Sequence, residues 1–397
     1  MSAEPTRRLR VAIIGGGAIG SAIAYFLTRD DRDCAVTVIE RDFGYRQASS
    51  ALSASSIRQQ FSTAVNVRMS QYGIQFFRTI GETLATKDAR PEIGLVEPGY
   101  LYLASSAGEF RLRANHATQR ALGVDVALLA PDDLQSRFRW LATGDLSLGS
   151  LGLSGEGWYD GYGVLQAFRR KAIAQGVRYL QAEADGFRRL PDGRTLGAVR
   201  LLDGTEVDCD VAVDAAGPWA ARVAGWAGID LPVRARRRTV FSFRCAERLP
   251  GCPLVIDPSG LWFRPEGLQF ICGDAPPAES DLDDLPLDPE LDAFETRLWP
   301  SLAARVPAFE AIRTTGAWAG YYEMNTVDQN AILGVHPACP NLHVAAGFSG
   351  HGLQQAPAVG RGVAERIREG RYTSLDLSDV DVIRLLENRP LVEANVI

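Results

Sequence analysis

Four apolar residues, Val11 to Ile14, run into Gly15, Gly16 and Gly17, then into Gly20 and an apolar helical stretch that ends near Leu27. A second apolar run, VTVIE at 36–40, closes on Glu40. The pattern predicts a strand, a tight turn, a helix and a second strand. Helical spacing returns at 64–80, over most of 106–140 with a new element at Pro131, and at 157–177. Strands are predicted around a turn in 93–104, then at 178–184, 187–190 and 197–202, with Asp-Gly hairpin signals in PDGR and LDGT. Val211 to Val213 form a strand entering Gly217, Pro218 and Trp219. Residues 232–274 alternate in the β manner, predicting a sheet with one buried face, and 288–305 read as helical. Near the end, Leu342 to Ala346 form a strand that enters a loop punctuated by Gly347, Gly350 and Gly352. Pro357 is expected to open the helix that follows, and Gly370 to end it.

A chain of 397 residues is long enough for two domains, because single cores stop growing near ~250 to 300 residues. The formal net charge of -6 carries no nucleic-acid footprint. Six cysteines lie scattered without metal-ligand spacing, so reduced thiols are expected and neither a metal site nor a disulfide framework is. The N-terminus MSAEPTRRLR lacks an apolar core of signal-peptide length, and no apolar run is long enough for a membrane span. A cytoplasmic protein is the expectation. Lys87 and Lys171 are the only lysines.

The first turn carries chemistry because its glycines follow a strand and precede a helix. Gly15 permits the tight turn, Gly17 lets the backbone approach a pyrophosphate, and Gly20 lets helix and strand pack closely. Glu40, twenty residues after Gly20, stands where a carboxylate accepts from a ribose 2′-hydroxyl. Ser49 and Ser50, in a small polar loop, suit either a phosphate or ribityl contact or a loop cap. Arg58 has no acidic neighbour in sequence and could bind a carboxylate in bidentate fashion. The glycine loop at 347–352 feeds a second helix N-terminus, and one pyrophosphate does not require two. A reduced flavin, negative near N1 and the C2 carbonyl, is a second anionic group suited to it. His351 within that loop is either a hydrogen-bonding neighbour of such a ring or a loop histidine satisfied by backbone. His116, His336 and His343 read as structural, and Trp262 and Phe263 as pocket or sheet packing.

Taken together, GGGAIG with Glu40, ASSALSASSIRQQFS, DAAGPW, NTVDQNAILG and GFSGHGLQQAPAVG resemble the FAD-dependent D-amino-acid oxidase-like superfamily, which includes glycine oxidase, monomeric sarcosine oxidase and the sarcosine and dimethylglycine dehydrogenases. The resemblance covers nearly the whole chain. It implies an α/β, glutathione-reductase-type FAD-binding domain in discontinuous segments, 1–85, 151–231 and 325–397 including a C-terminal tail. An α+β substrate domain, residues 86–150 and 232–324, roofs the flavin with a mixed antiparallel sheet. Implied cofactor contacts are Gly15, Gly17, Ala18, Ile19 and Gly20, Glu40 and Arg41, Ser49 and Ser50, Ala184, Ala216, Gly217 and Trp219, then Gly347, Ser349, Gly350, His351, Gly352 and Leu353.

In sarcosine oxidases the arginine matching Arg58 holds the substrate carboxylate. Gln354 stands where their GFSGHGFK motif has lysine, and Gln269 where they carry a lysine over the flavin, a residue linked to oxygen activation. No cysteine in GYYEMNTVDQ and no histidine in 47–60 offers a covalent flavin bond. The resemblance therefore implies noncovalent FAD and oxidation of a CH–NH bond in a small amino acid or N-substituted amine, with unspecified electron acceptor, as a dehydrogenase or slow oxidase. The implied catalytic set is Arg58, His351, Gln354, Gln269 and Tyr322, with Glu323 a partner for the substrate amine. A flavin-binding assembly factor without turnover, a role associated with respiratory complex I in one subgroup of look-alikes, and a 2-hydroxy-acid oxidising enzyme are the alternatives.

Overall fold

Strand Leu9–Ile14 pairs in parallel with Cys34–Glu40 on one side and Val211–Asp214 on the other, and its last four residues, all apolar, are buried. Parallel neighbours cannot be joined by a hairpin, so the chain crosses over through helix Ala18–Arg29. The full sheet has six strands in the order Ile332–Val335, Leu342–Ala346, Val211–Asp214, Leu9–Ile14, Cys34–Glu40 and Arg178–Gln181. All pairs are parallel except Ile332–Val335 against Leu342–Ala346. The computed structural model describes residues 8–29 and 33–395. The opening MSAEPTR, on which the absence of a leader was read, lies outside them.

Helix Ala18–Arg29 is buried from Ala18 to Thr28, because helices Gly161–Ala174 and Gly352–Glu369 cover it. The crossing with Gly352–Glu369 is close. A Cβ on Gly360 would stand 2.7 Å from the Ala22 Cβ and 2.8 Å from the Ala22 carbonyl carbon, so only glycine lets the backbones approach this far.

A second, eight-stranded sheet runs Ile312–Asn325, Val233–Cys245, Gln269–Gly273, Trp262–Glu266, Leu254–Ile256, Tyr100–Ala104, Leu148–Gly152 and Val126–Leu129. Its pairs are antiparallel except Leu254–Ile256 with Tyr100–Ala104. Phe243, Phe263, Phe270 and Phe309 interlock beneath one face, with ring centroids 5.0 to 5.5 Å apart. This is the α/β fold with a mixed, largely antiparallel second sheet that the family resemblance implies.

Three local expectations are corrected. The last long helix starts at Gly352, five residues before Pro357, which sits inside it. Pro357 has no N–H for the Leu353 carbonyl, but burial of the helix between neighbours outweighs that one lost bond. The stretch 106–140 contains strand Val126–Leu129, which pairs at the edge of the large sheet. Within 288–305 only 292–305 is helical, and Phe294–Leu298 inside it has π geometry. Cys209, Cys245, Cys252, Cys272 and Cys339 are free thiols, and no helix among the described residues is long and apolar enough to cross a membrane.

The helix crossing generates a stability prediction. Gly360→Ala should destabilise the protein by about 1–3 kcal/mol through overpacking. Gly225→Ala, in a helix where nothing lies within 4 Å of the added methyl, should be neutral or stabilising. Chemical denaturation midpoints of the two variants check the contrast.

Candidate active site

The first glycine turn is built by contacts with two other segments. Gly15 adopts φ of +100° and lies against the Ala215 carbonyl, so the turn tolerates no side chain there. Gly20 packs on the Gly15 carbonyl and brings the helix down onto the turn. The Ala18 N–H donates to Ser50 Oγ at 3.3 Å. Glu40 braces the same turn: its carboxylate accepts the Gly16 N–H at 2.8 Å and the Asp42 N–H at 2.9 Å. Burial pushes the Glu40 carboxyl above its usual range, against those two hydrogen bonds. The sequence pattern gave Glu40 a ribose and not this bracing role.

From this turn one long cavity runs to the large sheet. Gly15, Gly17, Ala18 and Ile19 line it, with Glu40, Ser49 and Ser50 beside them. Ala184, Ala216, Gly217 and Trp219 also line it, with the Arg41 guanidinium 3.7 Å from the Trp219 ring centroid. Gly350, His351, Gly352 and Leu353 line the same space as Arg58, Gln354 and Tyr322. A dinucleotide cofactor fits these donors. The Ser49 hydroxyl is buried without a hydrogen-bond partner, and no side chain caps the helix that starts at Gly352. Its first N–H groups are therefore open to an anionic group.

Gly350 has φ of +90°, and a Cβ there would stand 2.5 Å from the Tyr322 ring, so the ring packs directly against the loop backbone. Gly347 and Ser349 do not line the cavity as expected. They shape the loop from behind: the Gly347 N–H donates to Glu323 Oε2 at 3.1 Å, and Ser349 Oγ accepts the Asn325 N–H at 3.0 Å. Gln269 is also displaced from its expected place over the flavin. It begins its strand opposite Glu266 and accepts from Thr315 Oγ1 at 2.9 Å, while the cavity lies at the other end, where Gly273 pairs with Trp262. The sheet residues over the cavity include Trp262 and Arg238. The Arg238 guanidinium sits 5.2 Å from the Tyr322 ring centroid and is held by Asp281 at 2.7 and 3.0 Å. Within the run RARRR only its register on the strand singles it out.

Arg58 is buried, with 2% of its surface exposed. Its Nη1 donates to the Gln60 carbonyl at 2.7 Å, and its Nη2 to the Asn395 carbonyl and to His351 Nε2, the latter at 2.9 Å. The Phe61 ring lies 4.0 Å beneath it. A guanidinium can only donate, so His351 Nε2 accepts and its Nδ1 carries the hydrogen. Burial, and then the Arg58 charge, press the imidazole down to about 3, which keeps it neutral. Gln354 acts on Arg58 through the main chain, its Oε1 accepting the Arg58 N–H at 2.9 Å.

Two supports escaped the sequence reading. Glu156 accepts the Gln59 and Gln60 N–H groups at 2.6 and 3.0 Å and fixes the segment after Arg58, while burial pushes its carboxyl to about 7. Glu393, in the tail, accepts from Ser62 Oγ at 2.6 Å and Thr63 Oγ1 at 2.9 Å, which places Asn395 over Arg58. Neither has a local sequence signal, since each partner lies about 100 or 330 residues away.

Comparisons with known proteins agree with this geometry. The DAO family model, described as FAD dependent oxidoreductase, matches residues 10–366. FAD-dependent oxidoreductase domain-containing protein 1 of Xenopus laevis is 41% identical over 99% of this chain and 86% of its own length. Glycine oxidase of Geobacillus kaustophilus is 26% identical, over 96% of this chain and 98% of its own. The crystal structure of L-proline dehydrogenase from P. horikoshii superposes with a TM-score of 0.83 at 26% identity, covering 97% of this chain and all of that one. A family match over nine-tenths of the sequence, on a fold whose cavity presents both glycine turns, makes the chain a member of the DAO family of FAD-dependent oxidoreductases: an enzyme whose cofactor is FAD.

Proposed function

We propose that this enzyme oxidises the CH–NH bond of a small amino acid or N-substituted amino acid, with noncovalent FAD, as a dehydrogenase or slow oxidase. The observation that carries this reading is Arg58: a buried cation at the sheet end of the cavity, with no carboxylate paired to it among the described residues. A substrate carboxylate is the complementary group. Glycine oxidase and L-proline dehydrogenase, both similar to this chain, are named for amino acids.

When bound, FAD would supply the two-electron acceptor for the hydride of the substrate carbon, the nitrogen lone pair giving an iminium that water would hydrolyse. The chain's own residues bind and orient. Arg58 takes the carboxylate, and its bonds to Gln60 and His351 hold the guanidinium plane in place. Neutral His351 presents an Nδ1–H donor without adding a second positive charge. The open N–H groups at the start of helix Gly352–Glu369 favour negative charge on the cofactor side. Noncovalent attachment is supported by the absence of cysteine from 320–330 and of histidine from 47–60. The dehydrogenase or slow-oxidase reading is supported by the lysines: neither Lys87 nor Lys171 lines the cavity, and the Lys171 ammonium donates to the Ala85 carbonyl.

One contact favours a second reading. The Asn395 carbonyl sits on Arg58 where a carboxylate would be received, which suits a flavin-binding protein without small-molecule turnover. Anaerobic mixing of the FAD-loaded protein with D- and L-amino acids, proline, sarcosine, dimethylglycine and 2-hydroxy acids separates the readings. Bleaching of the flavin absorbance by an amino acid and not by a 2-hydroxy acid is expected; silence across the panel would favour the second reading. Arg58→Ala should weaken the binding of carboxylate substrates by about 2–5 kcal/mol. A dissociation constant unchanged in a flavin-absorbance titration would remove Arg58 from the site.

A further inference from the structure

A carboxyl group without a cation beside it closes part of the cofactor cavity. Glu323 lies on strand Ile312–Asn325, is 8% exposed and lines the cavity. Its Oε2 accepts the Gly347 N–H, and its main-chain carbonyl accepts the Ser349 N–H at 3.1 Å, so it is tied to the second glycine loop. Its Oε1 lies 3.3 Å from where a Cβ on Gly352 would be, and its Oε2 4.0 Å from the corresponding point on Gly217. Glu323 therefore bridges the 215–217 turn and the 347–352 loop, both of which face the cavity.

The groups around it offer no counter-charge. Asp214, at the end of strand Val211–Asp214 in the other sheet, is fully buried, and its Oδ2 has no partner. Strand Val233–Cys245 presents Ala235 opposite Glu323. The loop contributes His351, held neutral against Arg58. On the cavity side the neighbouring strand positions carry Tyr322, with Arg238 committed to Asp281. No ion pair to Glu323 exists among the described residues. Two carboxyl groups in such a wall do not both ionise readily. Burial pushes the Glu323 carboxyl up to about 8, with Asp214 adding to the shift and the Gly347 N–H opposing it.

We propose that Glu323 serves the cofactor as a neutral acid: its carboxyl hydrogen is donated to FAD where the two turns meet, so that FAD binds the protonated protein. An ionised Glu323 would instead place a negative charge against a ligand that is itself anionic. This replaces the ion pair with a substrate amine that the sequence suggests, because a neutral acid forms no such pair. The inference rests on FAD as cofactor and not on the choice of substrate, so an inactive amino-acid panel would leave it standing.

The test titrates the deflavinated full-length protein with FAD from pH 6 to 9.5, following protein fluorescence. The dissociation constant of the unchanged protein should be flat below about pH 7 and rise by about tenfold per pH unit once the free protein loses the proton. Glu323→Gln keeps the shape and a neutral donor, and should hold the low-pH constant across the whole range. Glu323→Ala should bind more weakly at every pH, with a flat profile. Superimposable profiles for the unchanged protein and Glu323→Gln would overturn the proposal. A measurement that needs no variant is calorimetry in two buffers of different ionisation enthalpy. FAD binding at pH 8.5 should take up about three-quarters of a proton, and at pH 6 almost none; no uptake at pH 8.5 would equally overturn it.

Discussion

The place where the Gly360 backbone rests on Ala22 fixes the geometry of everything functional in this molecule. Helix Ala18–Arg29 begins at the first glycine turn, and helix Gly352–Glu369 begins at the second, so a close crossing of the two sets where both N-termini point. A larger residue at 360 would separate the helices, and with them the two sets of free N–H groups. The cofactor cavity is thus a consequence of helix packing that occurs away from it. Each turn is then locked by its own contacts, Gly15 on the Ala215 carbonyl and Gly350 beneath Tyr322.

Charge inside this cavity is managed by pairing unlike roles rather than unlike charges. Arg58 is surrounded by carbonyl oxygens and a neutral imidazole, which satisfy its hydrogens without neutralising it. The positive charge remains available to an anion, while its burial is made tolerable by the bonds it donates and by Phe61 beneath it. Glu323 is the converse, a carboxyl group that burial keeps protonated. Glu156 and Glu393 stand one layer out and hold the backbone that holds Arg58. The chain's last described residues are part of this arrangement, because Glu393 caps the 62–66 segment and Asn395 touches Arg58.

How much of this was legible in the sequence depended on the range of each interaction. The first turn was readable because its signal is local: apolar strand, spaced glycines, helix and acid fall within thirty residues. The second was readable for the same reason, although Pro357 misplaced the helix start, since a proline buried inside a helix looks identical in sequence to one that opens it. Gln269 was misplaced because nothing local fixes which end of a strand faces a cavity; that is set by pairing with Trp262–Glu266 and Val233–Cys245. The supports Glu156, Glu393 and Asn395 were invisible, as their partners are distant and acidic or amide residues in loops carry no spacing rule. Arg238 was hidden beside three neighbouring arginines, and only the strand register turns it toward Tyr322.

The convergence of both turns on a single FAD is tested most directly by comparing FAD affinities of Gly17→Leu and Gly352→Leu. Both positions line the cavity, and neither adopts a left-handed backbone that would itself be strained. Each substitution should weaken FAD binding by at least about tenfold, with the thermal unfolding midpoint of the apoprotein retained in Gly17→Leu and lowered in Gly352→Leu, where a Cβ would stand 3.2 Å from the buried Phe348 side chain. FAD bound as tightly by either variant as by the unchanged protein would mean that the two turns do not hold the same cofactor.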